Sequence, residues 1–250
     1  MEILGVRVDN VNFQQALEKA KKLIEGPGKH CVVTPNPEII VAAQKDRQFK
    51  EILNKSSLSI PDGIGLVWGA RILGEKLPER VTGTDLLEGL AALAAEHGYS
   101  LFLLGGMEGV AEKAGAKFKI QNSKVKIGTT AEPSLNQEGR PVNSEETEKE
   151  KEAIEKINQF RPDILAVAFG APKQEKWIAR NLPKLNVKLA IGVGGALDYI
   201  SGEKTRAPGW VKGVGLEWLF RLVQEPTRFR RQLTLPYFGY LIFKERFKKG

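Results

Sequence analysis

The sequence predicts an α/β protein: a Rossmann-like, mostly parallel sheet with helices on both faces, followed by a helical C-terminal appendage that associates with a membrane. Three observations carry this. From about residue 31, short β-rich runs alternate with stretches of helical period, as parallel strands joined by crossover helices require. Most of the β-rich runs are apolar throughout, as strands covered on both faces must be. After about residue 200 the alternation stops, and glycines, prolines, arginines and aromatics take over.

In chain order, a strand over 3–8 is expected near a sheet edge, then strands over 31–34, 57–60, 100–104, 124–128, 164–169 and 188–193. Helices fit the intervals 12–24, 37–54, 84–96, 107–121, 144–159 and 174–181. Pro37 suits a first helical position after Asn36, where a missing N–H is harmless. The polar stretch 130–147, with Pro133, Gly139 and Pro141, reads as a surface loop. A helix over 216–225 ends at Pro226. The division is a core over 1–200 and an appendage over 201–250.

At 250 residues and 42% hydrophobic, the chain can bury a full core without disulfides or metal. The single cysteine, Cys31, lies in an apolar run and reads as a buried thiol. The N-terminus lacks the pattern of a secretory signal, and no apolar window reaches membrane-spanning length, so a cytoplasmic location with at most peripheral membrane contact is expected. Eleven cations against four acids place +7 of the net +8 charge after residue 200. An anionic partner therefore meets the C-terminal fifth.

In an open parallel sheet, ligands gather beyond the carboxyl ends of the strands. That rule selects Thr34-Pro35-Asn36, Pro61-Asp62-Gly63, Gly105-Gly106, Gly170 to Gln174, and Gly192 to Gly195. Asp62 would project from a tight turn as a general base, although Pro-Asp-Gly is also an ordinary turn sequence. Gly105-Gly106-x-x-Gly109 could face a phosphate with helix amides, or simply turn the chain. It lacks an acidic residue at a second strand end at the distance a dinucleotide fingerprint expects. Gly192, Gly194 and Gly195 permit close approach of a ligand or tight packing. Gln174, in a first helical turn, offers an amide to a sugar or base, or is merely exposed. Arg80, Arg221, Arg228 and Arg231 could pair with phosphate oxygens, against the alternative of a solvated basic face.

Every aspartate stands alone, so no Asp-x-Asp pair holds a divalent metal against a diphosphate, and two histidines with one cysteine make no zinc cluster. No Walker motif and no Gly-x-Ser-x-Gly elbow is present. No metal and no cofactor is expected.

Together Thr34-Pro-Asn-Pro-Glu38, Pro61-Asp-Gly63, Pro78-Glu-Arg-Val81, Gly105, Gly170-Ala-Pro-Lys-Gln-Glu-Lys-Trp177, Gly192-Val-Gly-Gly195, Arg206-Ala-Pro208 and Gly215-Leu-Glu-Trp-Leu-Phe-Arg221 with Glu225-Pro226 resemble the WecG/TagA/CpsF family of bacterial glycosyltransferases. The resemblance runs through nearly the whole chain. It implies inverting, metal-independent transfer of N-acetylmannosamine or a related sugar from a UDP-sugar to an undecaprenyl-diphosphate-linked GlcNAc acceptor, with Asp62 as base. It also implies that Thr34 and Asn36 line the acceptor or sugar site, that Gln174 positions substrate, and that Gly192 to Gly195 lie against the nucleotide. Arg80 with Arg221, Arg228 and Arg231 would stabilise the UDP or bind the lipid diphosphate. The 130–147 stretch is longer and more polar than the family's turn there, which leaves the donor sugar open.

The basic, aromatic tail suits an anionic membrane surface on the inner face of the cell membrane. A homo-oligomer stays open. Two other classes remain for the residues alone: a nucleotide-dependent oxidoreductase, on the glycine turn, and an RNA-binding protein, on a pI near 9.4 and the arginine-aromatic tail. Polar segments at successive strand ends favour a small-molecule crevice over nucleic acid.

Overall fold

The computed structural model describes residues 1–209, 211, 217–224, 229 and 233–248. The strands are β1 (Glu2–Ile3), β2 (Val6–Arg7), β3 (His30–Val33), β4 (Leu58–Ser59), β5 (Ser100–Gly105), β6 (Lys126–Thr130), β7 (Ile164–Ala168) and β8 (Leu189–Gly192). The helices are α1 (Phe13–Glu25), α2 (Pro37–Ala43), α3 (Arg47–Lys55), α4 (Ile64–Ile72), α5 (Gly83–His97), α6 (Val110–Gln121), α7 (Ser144–Phe160), α8 (Lys173–Asn181), α9 (Ala196–Ser201), α10 (Glu217–Gln224) and α11 (Thr234–Lys248).

Six strands form one all-parallel sheet in the order β4-β3-β8-β7-β5-β6. The period of two along β5 divides its side chains between the faces. Leu101 and Leu103 join the cluster under α1, α5, α6 and α9, while Phe102 and Leu104 join the one under α7 and α8. A third cluster gathers β1, β2, α2, α3 and α4. Both faces are covered, which explains the unbroken apolar run Ile164 to Ala168, buried at every position.

Caps set several helix starts. Asn12 and Gln15 form a reciprocal capping box on α1, and Thr82 and Asn143 cap α5 and α7. The expected helix over 37–54 is two helices. Asp46 accepts the amide of Phe49 at 2.9 Å and starts α3 afresh, in competition with continuation of α2. The expected edge strand over 3–8 is a two-stranded antiparallel hairpin outside the main sheet, because Leu4 and Gly5 turn at φ 53° and 72°. Helix α6 begins at Val110 rather than near 107, behind Gly109 at φ 81°.

Helices α4 and α9 were not anticipated. Gly65 and Gly69 weaken the helical signal of α4, and both are needed for contact. A Cβ on Gly65 would lie 2.7 Å from Pro37, and one on Gly69 3.1 Å from Phe238.

The tail ends in α11, which returns to the core and buries Phe238 and Ile242 among residues of α2 and α4. Shortening Phe238 to alanine leaves a cavity against Gly69 and is expected to lower stability by about 3–5 kcal/mol, read by urea unfolding. Among the described residues, no helix is long and apolar enough to cross a membrane.

The 130–147 stretch is ordered against α8. Leu135 bridges Pro141, Asn136 Oδ1 accepts the amides of Glu138 and Arg140, and Gly139 abuts the backbone of Lys173 and Trp177. The nearly buried Lys176 ammonium ties it down, 2.7 Å from both Glu138 and Asp46.

Candidate active site

Beyond the carboxyl ends of β3, β4, β7 and β8 lies a cavity of about 350 Å³. Thr34 and Asn36 follow β3, Asp62 follows β4, Gly170 and Gln174 follow β7, and Gly194 and Gly195 follow β8; all seven line it. The strand order places β3 next to β8, so loops far apart in sequence converge there.

Backbone stitches hold these loops. Asp62 N–H donates to Pro35 O at 2.9 Å, and Val81 N–H donates to Pro61 O at 2.8 Å. The Asp62 turn is thus fastened between the β3 loop and the segment carrying Arg80. Arg80 stands beside that turn but outside the cavity lining. Gly63, at φ 95°, lets the chain leave Asp62 directly into α4.

Several expected ligands have structural duties. Thr34 Oγ1 donates to Gly192 O at 3.3 Å, joining β3 to β8. Asn36 Oδ1 caps α2 by accepting from Ile39 N–H at 2.9 Å, which leaves its NH₂ for a ligand. Gln174 is not exposed, as one reading of its position allowed, but 2% accessible. Its Oε1 accepts from Gly170 N–H at 3.2 Å and Gly194 N–H at 2.9 Å. Gly192 lies beneath it, where a Cβ would come within 2.6 Å of Gln174 Nε2. Converting Gly192 to alanine is therefore expected to displace Gln174 and lower turnover at least tenfold, measured as kcat against circular dichroism of the folded variant.

Gly105 lies outside the cavity lining. At φ 120°, with a Cβ position 3.0 Å from the Ala168 backbone, it answers to tight packing of β5 on β7. Arg221 is on α10, but its side chain lies outside the described residues, as do Arg228 and Arg231.

The lining also includes residues that the strand-end rule missed. Thr82, Gly83 and Thr84 enter at the start of α5, which no strand precedes, and a Cβ on Gly83 would meet Thr34 Oγ1 at 3.5 Å. Glu38 comes from the first turn of α2, Tyr199 from α9, and Thr234 from the start of α11. The Thr34-Pro-Asn-Pro-Glu38 spacing could have flagged Glu38. The first turns of α2 and α5 both reach the cavity.

An acid does stand past a second strand, farther along the chain than a dinucleotide fingerprint expects: Glu132, two residues beyond β6, which pairs with β5, takes a hydrogen bond from the Gly106 backbone. Burial raises its carboxyl above the usual range despite Lys173 Nζ at 3.4 Å. Glu132 follows Gly106 by 26 positions, with α6 and its connections between them.

A polar cavity beyond the strand ends of a parallel sheet, with a carboxylate at a tight turn and glycines at its rim, is where an α/β enzyme holds a small-molecule ligand. The chain belongs to the WecG/TagA/CpsF family of glycosyl transferases, whose model matches residues 1–250. It is similar to the N-acetylglucosaminyldiphosphoundecaprenol N-acetyl-beta-D-mannosaminyltransferase of Bacillus subtilis (strain 168), with 31% identity over 214 residues, 86% of this chain and 79% of that protein. It is also similar to the proteins of that name from Staphylococcus aureus strains MRSA252 and MW2, each 30% identical over 250 residues, 99% of this chain and 94% of theirs. Membership makes this chain a glycosyltransferase and displaces the oxidoreductase and RNA-binding readings.

Proposed function

We propose that the chain transfers N-acetylmannosamine, or a closely related sugar, from a UDP-sugar to GlcNAc-diphosphoundecaprenol with inversion and without a metal. The observation that carries this is Asp62, stitched into the wall of the strand-end cavity of a glycosyltransferase whose relatives are named for N-acetylmannosaminyl transfer to GlcNAc-diphosphoundecaprenol. Asp62 takes the proton of the acceptor hydroxyl as its oxygen attacks the anomeric carbon from the face opposite the diphosphate. The bond from that carbon to the diphosphate oxygen breaks, and UDP leaves with the electron pair.

The leaving charge needs partners. Arg80 stands beside the Asp62 turn, and Arg221, Arg228 and Arg231 belong to the tail that returns to the cavity at Thr234. Guanidinium forks match phosphate oxygens, and helix amides add to them. Thr34 and Asn36 line the acceptor or sugar site and Gly194 and Gly195 lie against the nucleotide, with Gln174 behind them and Gly192 and Gly105 as supports. The test is incubation with a panel of UDP-sugars and a GlcNAc-diphosphate-lipid acceptor, with and without EDTA, and products identified by mass. Disaccharide formed only from UDP-N-acetylmannosamine and unaffected by EDTA is the expected result. Loss of product with EDTA removes the metal-free reading.

The same reading places the protein on the inner face of the membrane, where its acceptor is anchored. Tyr237, Tyr240, Phe243 and Phe247 are exposed along α11 among Lys244, Arg246 and Lys248, and Trp68 is exposed on the neighbouring α4. Aromatics and cations so mixed suit an anionic interface, each cation adding about 1 kcal/mol. Replacing Phe243 and Phe247 with serine is expected to weaken co-sedimentation with phosphatidylglycerol vesicles about tenfold. Undiminished co-sedimentation removes α11 from this role.

A further inference from the structure

Glu175 is fully buried in the first turn of α8, and its Oε2 has no hydrogen-bond partner among the described residues. An acid in a first helical turn ordinarily interacts with the helix dipole while exposed to water, so the dipole alone does not explain why this one is enclosed. Its one side-chain partner is Gln174, whose Nε2 donates to Glu175 Oε1 at 2.7 Å.

That contact decides which way the Gln174 carboxamide faces. With Nε2 held by the carboxylate, Oε1 is turned to the amides of Gly170 and Gly194. The flipped amide would set its NH₂ against two N–H donors and its oxygen against a carboxylate. All three of these contacts would become repulsive, among side chains that are buried. The carboxamide lies directly over Gly192, where an added Cβ would meet its Nε2 at 2.6 Å.

We infer that Glu175 is a positioning residue that acts through Gln174, locking its carboxamide so that it clamps together the Gly170 and Gly194 turns that line the cavity. This rests on the transfer reaction proposed above. The clamp joins the β7 and β8 loops, and the Gly194 turn forms part of the cavity wall. Loosening it misplaces groups around the donor without removing any of them.

The experiment compares Glu175→Met, which keeps the volume and loses the acceptor, with Glu175→Gln, which keeps an acceptor oxygen. In the full-length protein, Glu175→Met is expected to lower kcat about ten- to a hundredfold, with the acceptor KM changed less than about threefold. Its melting temperature at pH 8 should be unchanged or raised, because a buried carboxylate has gone. Glu175→Gln should recover most of the lost kcat. Glu175→Met added to Gln174→Ala should cause no further loss, since the clamp is already gone. Full activity of Glu175→Met, a loss that follows only its unfolded fraction, or additive losses in the double variant overturn the inference.

Amide-resolved hydrogen exchange tests the clamp without any assay of transfer. Gly170 and Gly194 should exchange slowly in the wild type and Glu175→Gln, and at least tenfold faster in Glu175→Met. Equal protection in all three overturns the clamp. A wild type that transfers no sugar yet shows this exchange pattern counts against the proposed reaction and leaves the clamp standing.

Discussion

Replacing Asp62 by asparagine is expected to lower turnover by about a hundred- to ten-thousandfold while folding and donor affinity stay near those of the wild type. The side chains have the same shape, and the stitches that hold the turn use backbone: Asp62 N–H to Pro35 O, and Val81 N–H to Pro61 O. What disappears is the group able to accept a proton from the attacking hydroxyl. Because that proton moves only as the new bond forms, the loss belongs in kcat rather than in ground-state binding. Single-turnover rates with UDP-N-acetylmannosamine, set beside calorimetric UDP binding, separate the two. A variant that turns over at the wild-type rate removes Asp62 from the base role.

The second large effect concerns pH. Burial pushes the Glu175 carboxyl up to about 7 from an ordinary 4.5, outweighing the hydrogen bond from Gln174 and the pull of its own backbone amide. The folded protein therefore holds this proton more tightly than the unfolded chain does. Below pH 4.5 both states are protonated and the group imposes no penalty. Between 4.5 and 7 the unfolded chain ionises first, so stability falls as pH rises, by about 3 kcal/mol in all. The titratable neighbour on β3 is Cys31, whose thiol burial holds up at about 12, so it stays neutral across this window. Glu175→Gln should remove the decline, and the variant should be more stable than the wild type at pH 8 but not at pH 4.5. Parallel urea-unfolding curves at pH 4.5, 6 and 8 check this, and an identical pH slope in the two proteins would falsify it.

The two predictions draw on opposite kinds of knowledge. Asp62 was legible from its place after a strand in an alternating pattern, since a strand-end turn in a parallel sheet points into the crevice whatever the neighbours are. Glu175 follows Gln174 in the chain and carried no signal of its own. Its burial depends on α8 lying flat on the sheet with β3 and β8 beneath, a tertiary matter. Similarly, Gln174 was noticed for its amide, but its partners are backbone N–H groups of two separate loops, which no local pattern reports.

Where the sequence reading missed elements, tertiary contact had overridden local preference. Gly65 and Gly69 lower the helical propensity of α4, yet they allow Pro37 and Phe238 to sit against it. Leu4 and Gly5 turn an apparently continuous β-run into a hairpin. Asp46 stops a helix that its neighbours would continue, because its carboxylate both caps α3 and meets Lys176.

By itself, the sequence determined the α/β class, the parallel sheet, the strand-end loops that carry the cavity and the charge imbalance of the tail. All of these follow from periodicity and composition, which act over a few residues at a time. Only the tertiary structure decided the strand order that brings β3 beside β8, the entry of α5 and α11 at the cavity, the nearness of Glu132 to Gly106 and the enclosure of Glu175. Each of these depends on packing between segments distant along the chain, where burial and partner geometry, rather than local preference, dominate the free energy.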